Sequence, residues 1–314
     1  MLFDRAEHLF VYAFARTVFT CLRVLPWETG RKACRNLGRL FFRLDRSRRK
    51  ANAIENLCRA FPDAGRSEAR RLLRASYAHL LSSVLDALHF VRLVGRRPLE
   101  SLLETEGFEK LPDPSCGLGV MFVTGHIGHW EVMGAAAAAL GYPVWTMTRP
   151  SRNPFLRRYV ARLRSQTHQH TLHRHGSLRR MLQLLRTGRH VALLIDQDAR
   201  RHGVFVDFFG RPASTTPAPA MIALRAGAPV VFVHARRVRG GNRFRVTVED
   251  VVWPDPETGK REEIHRITQR ITRDLEEVVR RAPEEWLWLH RRWKTDPDKH
   301  RKMNLPRTER GGEE

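Results

Sequence analysis

The chain has 314 residues, enough to bury a large core in one domain or in two ordinary ones. Hydrophobic residues make up 42% of it and charged residues 28%, which excludes an intrinsically disordered chain. There are 56 Lys and Arg against 33 Asp and Glu, and the formal net charge of +23 predicts an anionic partner. Nucleic acid, an acidic membrane leaflet and an acidic protein all fit this charge.

Residues 1 to 95 predict a helical region that associates with a membrane. The stretch from Leu9 to Leu25 is apolar, but Arg16 and Arg23 interrupt it and share one helical face. An amphipathic helix lying in the membrane interface fits this pattern. A core helix of a soluble protein and a tilted span with snorkelling arginines remain alternatives. A basic flank follows this stretch. We expect it either to contact anionic headgroups or to form a solvated helix face; its residues are Arg35, Arg39, Arg43, Arg46, Arg48, Arg49 and Lys50.

From residue 96 to residue 295, short apolar runs alternate with amphipathic segments. This alternation predicts an α/β fold with a mostly parallel sheet flanked by helices. The expected strands are 118–124, 143–148, 190–195, 229–238 and 244–251, and the expected helices are 131–140, 155–164, 177–186, 216–226 and 261–281. A Trp-rich segment, 284–293, closes this region, and we expect the polar tail 296–314 to be disordered.

The segment from Gly125 to Glu131 (GHIGHWE) follows the strand 118–124, at the strand end where open α/β sheets place their sites. Five steps along a helix turn about 500°, so His126 and Glu131 would not share a face if both were helical. We therefore expect His126 on a loop freed by Gly125 and Gly128, with Glu131 in the first turn of the next helix. A Glu bonded to one ring nitrogen would leave the other as a base that takes a proton from a hydroxyl.

Other patterns carry less functional information. The four cysteines form no C-x-x-C pair and indicate reduced thiols in a reducing compartment. Four histidines between residues 168 and 175 allow a metal site, but a polar turn before Gly176 is the favoured interpretation. No nucleotide-binding or metal motif occurs, so we expect no cofactor and no metal. A basic nucleic-acid-binding protein is the alternative from another class, but the usual motifs for it do not appear.

Two segments resemble a known family. His126-x4-Glu131 resembles the glycerolipid acyltransferase signature, and the fuller string GHIGHWE resembles the lauroyl/myristoyl acyltransferases of lipid A biosynthesis. The string from Pro283 to Thr295 (PEEWLWLHRRWKT) is similar to the C-terminal signature of that branch and is far more specific. Further matches in order and spacing are Arg149-Pro150, Asn153-Pro154 and Ile195-Asp196-Gln197-Asp198.

The resemblance implies transfer of an acyl chain from an acyl carrier protein thioester to a hydroxyl of a lipid A precursor. The enzyme would lie at the bacterial inner membrane with its catalytic domain facing the cytoplasm. His126 would be the general base and Glu131 its orienting partner. The implied substrate-binding residues are Arg149, Asp196 and either Arg162 or Arg164. Loop N–H groups near Gly128 or an arginine would stabilise the oxyanion.

Two questions about the acceptor stay open at the level of sequence. The family usually has Asn where this chain has His129, and this departure bears on the acceptor pocket. A sister acyltransferase acting on a lysophospholipid or a mannosylated phosphoinositide is the alternative within the superfamily. The C-terminal string favours the lipid A branch.

Overall fold

A computed structural model describes residues 2–147, 151–172, 176–238 and 242–297. The predicted helical region is confirmed. Its α-helices are α1 (Leu2–Val24), α2 (Trp27–Leu44), α3 (Arg48–Ala60) and α4 (Gly65–Leu93). Helices α2 and α4 cross in close contact at Gly38, where an added Cβ would lie 2.4 Å from the carbonyl oxygen of Tyr77. A side chain at this position would therefore force the two helices apart.

Helix α1 covers most of the apolar stretch from Leu9 to Leu25. Arg16 Nη1 donates to the hydroxyl of Tyr12 one turn away, at 3.4 Å. The Tyr12 ring packs against Phe155, with 5.9 Å between ring centroids. Several apolar side chains of this helix are exposed, namely Leu9, Phe10, Val11, Val18 and Val24. Within the described ranges, no helix has the length and apolar content that crossing a bilayer requires.

In the part of the chain that the structure describes, the main sheet has seven strands: β1 (Leu103–Glu106), β2 (Met121–Thr124), β3 (Val144–Met147), β4 (His170–Leu172), β5 (His190–Leu194), β8 (Val230–Arg237) and β9 (Phe244–Val252). Their order across the sheet is β1-β9-β8-β2-β5-β3-β4. All neighbouring strands are parallel except β8 and β9. The predicted α/β class with a mostly parallel sheet is thus confirmed.

The helices that lie between or after these strands in the sequence pack against the sheet. They are α5 (Trp130–Ala139), α6 (Pro154–Ser165), α7 (Ser177–Arg186), α8 (Ala218–Ala226) and α9 (Lys260–Arg281). A separate antiparallel hairpin is formed by β6 (Val204–Asp207) and β7 (Pro212–Thr215). The sequence did not predict β1, β4 or this hairpin, because strands of three or four partly exposed residues give no clear periodicity. Most of the tail predicted to be disordered lies outside the described residues.

The N-terminal helices pack into both hydrophobic cores of the sheet. Leu73 of α4 lies in one core with Met121 of β2. Phe90, later on the same helix, lies in the other core with Phe122 of β2. Successive β-strand side chains point to opposite faces, so α4 contributes to the packing on both sides of the central strand. This packing fixes α4 beside the loop that follows β2.

Candidate active site

The loop between β2 and α5 has the geometry that the spacing of its residues predicts. His126 lies on the loop, and Glu131 lies in the first turn of α5. Gly128 has a φ of +58°, and an added Cβ there would lie 2.3 Å from the carbonyl oxygen of Ala235. At Gly125 an added Cβ would lie 2.7 Å from a methyl group of Leu275. Backbone conformation and close packing therefore require glycine at position 128, whereas a side chain at position 125 would require Leu275 to move.

Asp196 holds the imidazole of His126. Its Oδ1 lies 2.8 Å from His126 Nδ1, and its Oδ2 accepts from the backbone N–H of His126 at 2.7 Å. The indole N–H of Trp286 donates to the same Oδ2 at 3.0 Å. Asp196 has no exposed surface and follows β5, which pairs in parallel with β2, so the sheet brings the two residues together. Among the described residues, His126 Nε2 has no hydrogen-bond partner.

The electrostatics of this pair favour an ionised carboxylate. Burial by itself would raise the pKa of Asp196, but the charge of His126 and the hydrogen bonds from it outweigh burial and hold that pKa far below its usual range. Burial by itself would lower the pKa of His126, yet the Asp196 carboxylate outweighs it and raises that pKa. Asp196 is thus an anion that favours the Nδ1–H tautomer of His126.

Glu131 does not make the contact that we predicted for it. Its Oε1 accepts from Arg164 Nη2 at 2.7 Å, while His126 Nδ1 is held by Asp196. The reason is positional: the first turn of α5 directs the Glu131 carboxylate toward α6, and the end of β5 places Asp196 against the ring. Glu131 still raises the pKa of His126 through its charge, as a smaller effect than burial and Asp196.

Of the two candidate arginines on α6, the structure places Arg164 in the site. Arg164 is partly buried and lines the cleft with Glu131, whereas Arg162 is exposed. Asn153 begins this helix by accepting from the backbone N–H groups of Phe155 and Leu156, at 3.0 and 3.1 Å. Asn153, which matches the family string, therefore has a structural role. Arg149, the remaining predicted arginine, lies outside the described residues.

The C-terminal Trp-rich segment packs directly on the His126 loop. Leu287 N–H donates to the carbonyl of His126 at 3.0 Å, and Gly128 N–H donates to the carbonyl of Glu285 at 3.2 Å. The Gly128 N–H is thus already used, so of the expected oxyanion donors the other loop N–H groups and an arginine remain. The ring of His290, which sequence reasoning missed, lies 4.5 Å from that of His126 between centroids. Only its place within the C-terminal string could have suggested it.

A cleft of about 1630 Å³ opens in front of His126. Apolar side chains, among them Trp130, Leu193 and Leu194, line it together with charged ones. The basic lining residues that sequence reasoning did not single out are Arg200, Arg201, His202, Arg211 and Lys294. Only the overall net charge pointed to them. A cleft lined by both apolar and basic side chains can accept a fatty chain attached to an anionic head.

One group of metal-type ligands occurs among the described residues. Ligand atoms of His126, Asp196 and His290 all lie within 4.8 Å of one another. Both Asp196 oxygens already accept hydrogen bonds from His126 or Trp286, so the arrangement suits a hydrogen-bonded base better than a metal ion. The predicted polar turn near Gly176 is only partly described. His170 lies on β4 and stacks on Trp145, and residues 173–175 are outside the described ranges.

His129, the departure from the family pattern, faces away from the cleft. Its side chain is buried, and its Nε2 lies 3.0 Å from Oδ2 of Asp86 on α4. Asp86 also accepts from Trp27 at 2.6 Å and from Arg237 at 2.9 Å. His129 is not among the residues that line the cleft. It therefore anchors α5 to the helical layer and does not shape the pocket that we associated with it.

The chain is similar to known acyltransferases along most of its length. The chain is 26% identical over 255 residues to the lipid A biosynthesis palmitoleoyltransferase of Escherichia coli, covering 80% of each chain. It is 25% identical over 277 residues to the lipid A biosynthesis lauroyltransferase of the same organism, covering 87% of this chain and 88% of the relative. A phosphatidylinositol mannoside acyltransferase of Mycobacterium tuberculosis is 25% identical over 197 residues, covering 61% and 60%. Residues 4–295 match the family of bacterial lipid A biosynthesis acyltransferases. The chain belongs to this family and is an acyltransferase.

Proposed function

We propose that this acyltransferase moves a fatty acyl chain from an acyl carrier protein thioester to a hydroxyl of a lipid A precursor. The His126–Asp196 pair is the observation that carries the proposal. A buried anionic carboxylate fixes Nδ1 of the imidazole, and the ring lines a cleft together with apolar and basic side chains. This is the arrangement of a general base for a hydroxyl nucleophile.

In the proposed reaction, His126 Nε2 takes the proton from the acceptor hydroxyl as its oxygen attacks the thioester carbonyl. The tetrahedral intermediate collapses by breaking the carbon–sulfur bond, and the thiolate takes the proton back from the imidazolium. The products are the ester and the free carrier thiol, and His126 is again neutral. Asp196 and Glu131 stabilise the imidazolium because both carry negative charge near the ring.

Arg164 is our candidate for stabilising the oxyanion. The N–H groups of Gly128 and His129 donate to the carbonyls of Glu285 and Ala235, so they are not available. Arg164 lines the cleft beside Glu131. A guanidinium group supplies several N–H donors and keeps its charge throughout the reaction. Arg149 stays a proposed substrate contact on the strength of the family resemblance alone.

We expect Arg164→Ala to lower kcat by about 10²-fold, since one charge-assisted contact to the transition state is lost. Arg162→Ala is the matched control, because it removes the same charge from an exposed position on the same helix. The measurement is steady-state transfer to the lipid acceptor by the purified variants. Equal rates for the two variants would contradict the role of Arg164.

The identity of the acceptor lipid is tested in a strain that lacks this protein and with purified protein in vitro. Mass spectrometry of lipid A from a strain lacking this protein should show one acyl chain fewer. Purified protein should acylate a lipid A precursor with acyl carrier protein as donor. The match to the mycobacterial enzyme makes a phosphatidylinositol mannoside the second candidate acceptor. An unchanged lipid A acyl count, together with acylation of that lipid in vitro, would favour the second candidate.

The proposed location is the cytoplasmic side of the bacterial inner membrane. Besides the exposed apolar residues on α1, four apolar residues on α2 are exposed: Leu37, Leu40, Phe41 and Leu44. Each of these four residues lies three or four positions from two of the others, so they form one stripe. An exposed apolar stripe on a chain with a net charge of +23 suits an interface of anionic lipid. Recovery of the full chain in the soluble fraction, without membranes, would contradict this location.

We expect His129→Asn to lower thermal stability and to leave the KM for the lipid acceptor unchanged. The His129 ring packs against Phe244, with 5.1 Å between centroids, and Asn would leave a small cavity there. The cost should be about 1–3 kcal/mol of unfolding free energy. Thermal unfolding and acceptor titration measure the two effects. A changed acceptor preference at unchanged stability would show that His129 acts on the pocket.

A further inference from the structure

A second concave site lies between α2 and α4, away from the cleft. It has a volume of about 470 Å³ and is lined by five arginines, which we call the arginine groove: Arg31, Arg35, Arg39, Arg71 and Arg74. None of the residues lining the groove lines the cleft at His126. The tight crossing at Gly38 holds the two helices at a fixed separation, so the arginines face each other on a rigid frame.

The positive charge of the groove is only partly balanced. Arg31 donates to Asp86 at 3.2 Å, and Arg71 donates to Glu68 at 2.6 Å. Arg35 and Arg74 have no side-chain partner among the described residues. An arginine cannot lose its proton under ordinary conditions, so clustered guanidinium groups repel one another unless an anion lies between them.

The acidic residues that line the groove supply that anion only in part. Glu285 accepts from Arg236 at 2.9 and 3.2 Å, and Arg236 is not part of the groove. Glu284 is the other acidic lining residue, and its charge acts on Arg71. One carboxylate does not balance five guanidinium groups. Guanidinium forks match the oxygens of a phosphate group in a bidentate manner, and a concave surface concentrates the field.

The groove also contacts the rear of the catalytic loop. His79, which lines it, donates through Nε2 to the carbonyl of Gly128 at 2.8 Å. Burial, with a smaller contribution from the nearby His129, lowers the pKa of His79 to about 4, so its ring is neutral at physiological pH. Gly128 is two residues from His126, which places this contact within about 10 Å of the base along the backbone.

The direction in which the groove faces favours a soluble ligand. Arg31, Arg35 and Arg39 are four residues apart, so they follow one side of α2. At about 100° per residue, the exposed apolar stripe of Leu37, Leu40 and Leu44 lies on the opposite side of that helix. If the stripe contacts lipid, the arginines point away from the membrane surface.

We propose that the arginine groove binds the phosphate group of a soluble molecule and that binding steadies the catalytic loop through His79. The ligand class is a phosphate monoester or pyrophosphate. A phosphate-bearing lipid headgroup offers the same chemistry and is distinguished by experiment below.

The binding test uses the full-length protein and sodium pyrophosphate, followed by isothermal titration calorimetry. The double variant Arg35→Gln/Arg74→Gln should bind at least about 10-fold more weakly, since two charge-assisted contacts are lost. The matched control Arg43→Gln/Arg70→Gln removes two exposed arginines from the same helices outside the groove and should bind like the wild type. Equal weakening in both double variants, or no saturable binding by the wild type, would overturn the proposal.

Two further measurements address the source of the phosphate and the coupling. If vesicles containing phosphatidic acid bind in a groove-dependent manner while free pyrophosphate does not, the source is a headgroup and the soluble ligand is wrong. Hydrogen exchange of residues 125–130 should slow when pyrophosphate is added to the wild type, and should not change in the groove variant. Binding without slower exchange would overturn the coupling to the loop. Neither measurement depends on acyl transfer.

Discussion

His126→Ala is expected to reduce acyl transfer by about 10³-fold or more while the protein stays folded. The imidazole lies on the wall of the cleft, and the Asp196 carboxylate beside Nδ1 fixes its tautomer. Removing it leaves Asp196 two of its hydrogen bonds, from the His126 backbone and from Trp286. The fold therefore keeps its local anchor and loses the base.

The matched variant is His126→Gln. Its amide N–H can still donate to Asp196, but the side chain has no basic nitrogen. Transfer by both variants is measured in single-turnover experiments with purified protein, and circular dichroism monitors the fold. His265→Gln replaces an exposed histidine on α9 and controls for effects of mutagenesis and purification that are unrelated to the site. Near-normal transfer by folded His126→Ala protein would exclude His126 as the base.

Asp196→Asn is expected to lower kcat by about 10²–10⁴-fold, because the variant favours the wrong tautomer of His126. Oδ2 of Asp196 accepts from two N–H groups, so an Asn at this position must place its carbonyl oxygen there. Its NH₂ group then faces His126 Nδ1 and donates to it. The ring proton moves to Nε2, and the nitrogen that should act as the base is blocked.

The same substitution should change the pH dependence. His126 must be neutral to act, so activity is lost as the pH falls through its pKa, which Asp196 raises against the effect of burial. In Asp196→Asn the raising charge is gone and burial remains, so the acid limb of kcat/KM should move to lower pH. The measurement is a pH profile of residual activity. An acid limb that stays at the wild-type position would mean that another group is the titrating base.

The sequence predicted the loop correctly for reasons that are local. The spacing of His126 and Glu131, with two intervening glycines, is decided by helix geometry, and α7 was predicted at its observed bounds. The contact between His126 and Asp196 is not local, since 70 residues separate them. Only the sheet order, with β5 beside β2, brings them together, and no periodicity in the chain encodes that order.

The same distinction applies to the N-terminal half. Amphipathic spacing predicted helices up to residue 95, but it did not indicate that His79 and Asp86 of α4 contact the catalytic loop and His129. His129 was assigned to the acceptor pocket because it lies inside the motif. The structure places it behind the loop, since adjacent residues leave a turn in different directions.

The hydrogen bonds from Leu287 to the His126 loop and from Trp286 to Asp196 have a consequence for synthesis of the enzyme. Chains fold as they emerge, N-terminal parts first. A nascent chain that extends only to the end of α9 already contains His126 and Asp196, but it lacks the backbone and indole donors that hold both in place. The base is therefore assembled only when nearly the whole chain is available. Incomplete chains should carry the motif without the activity.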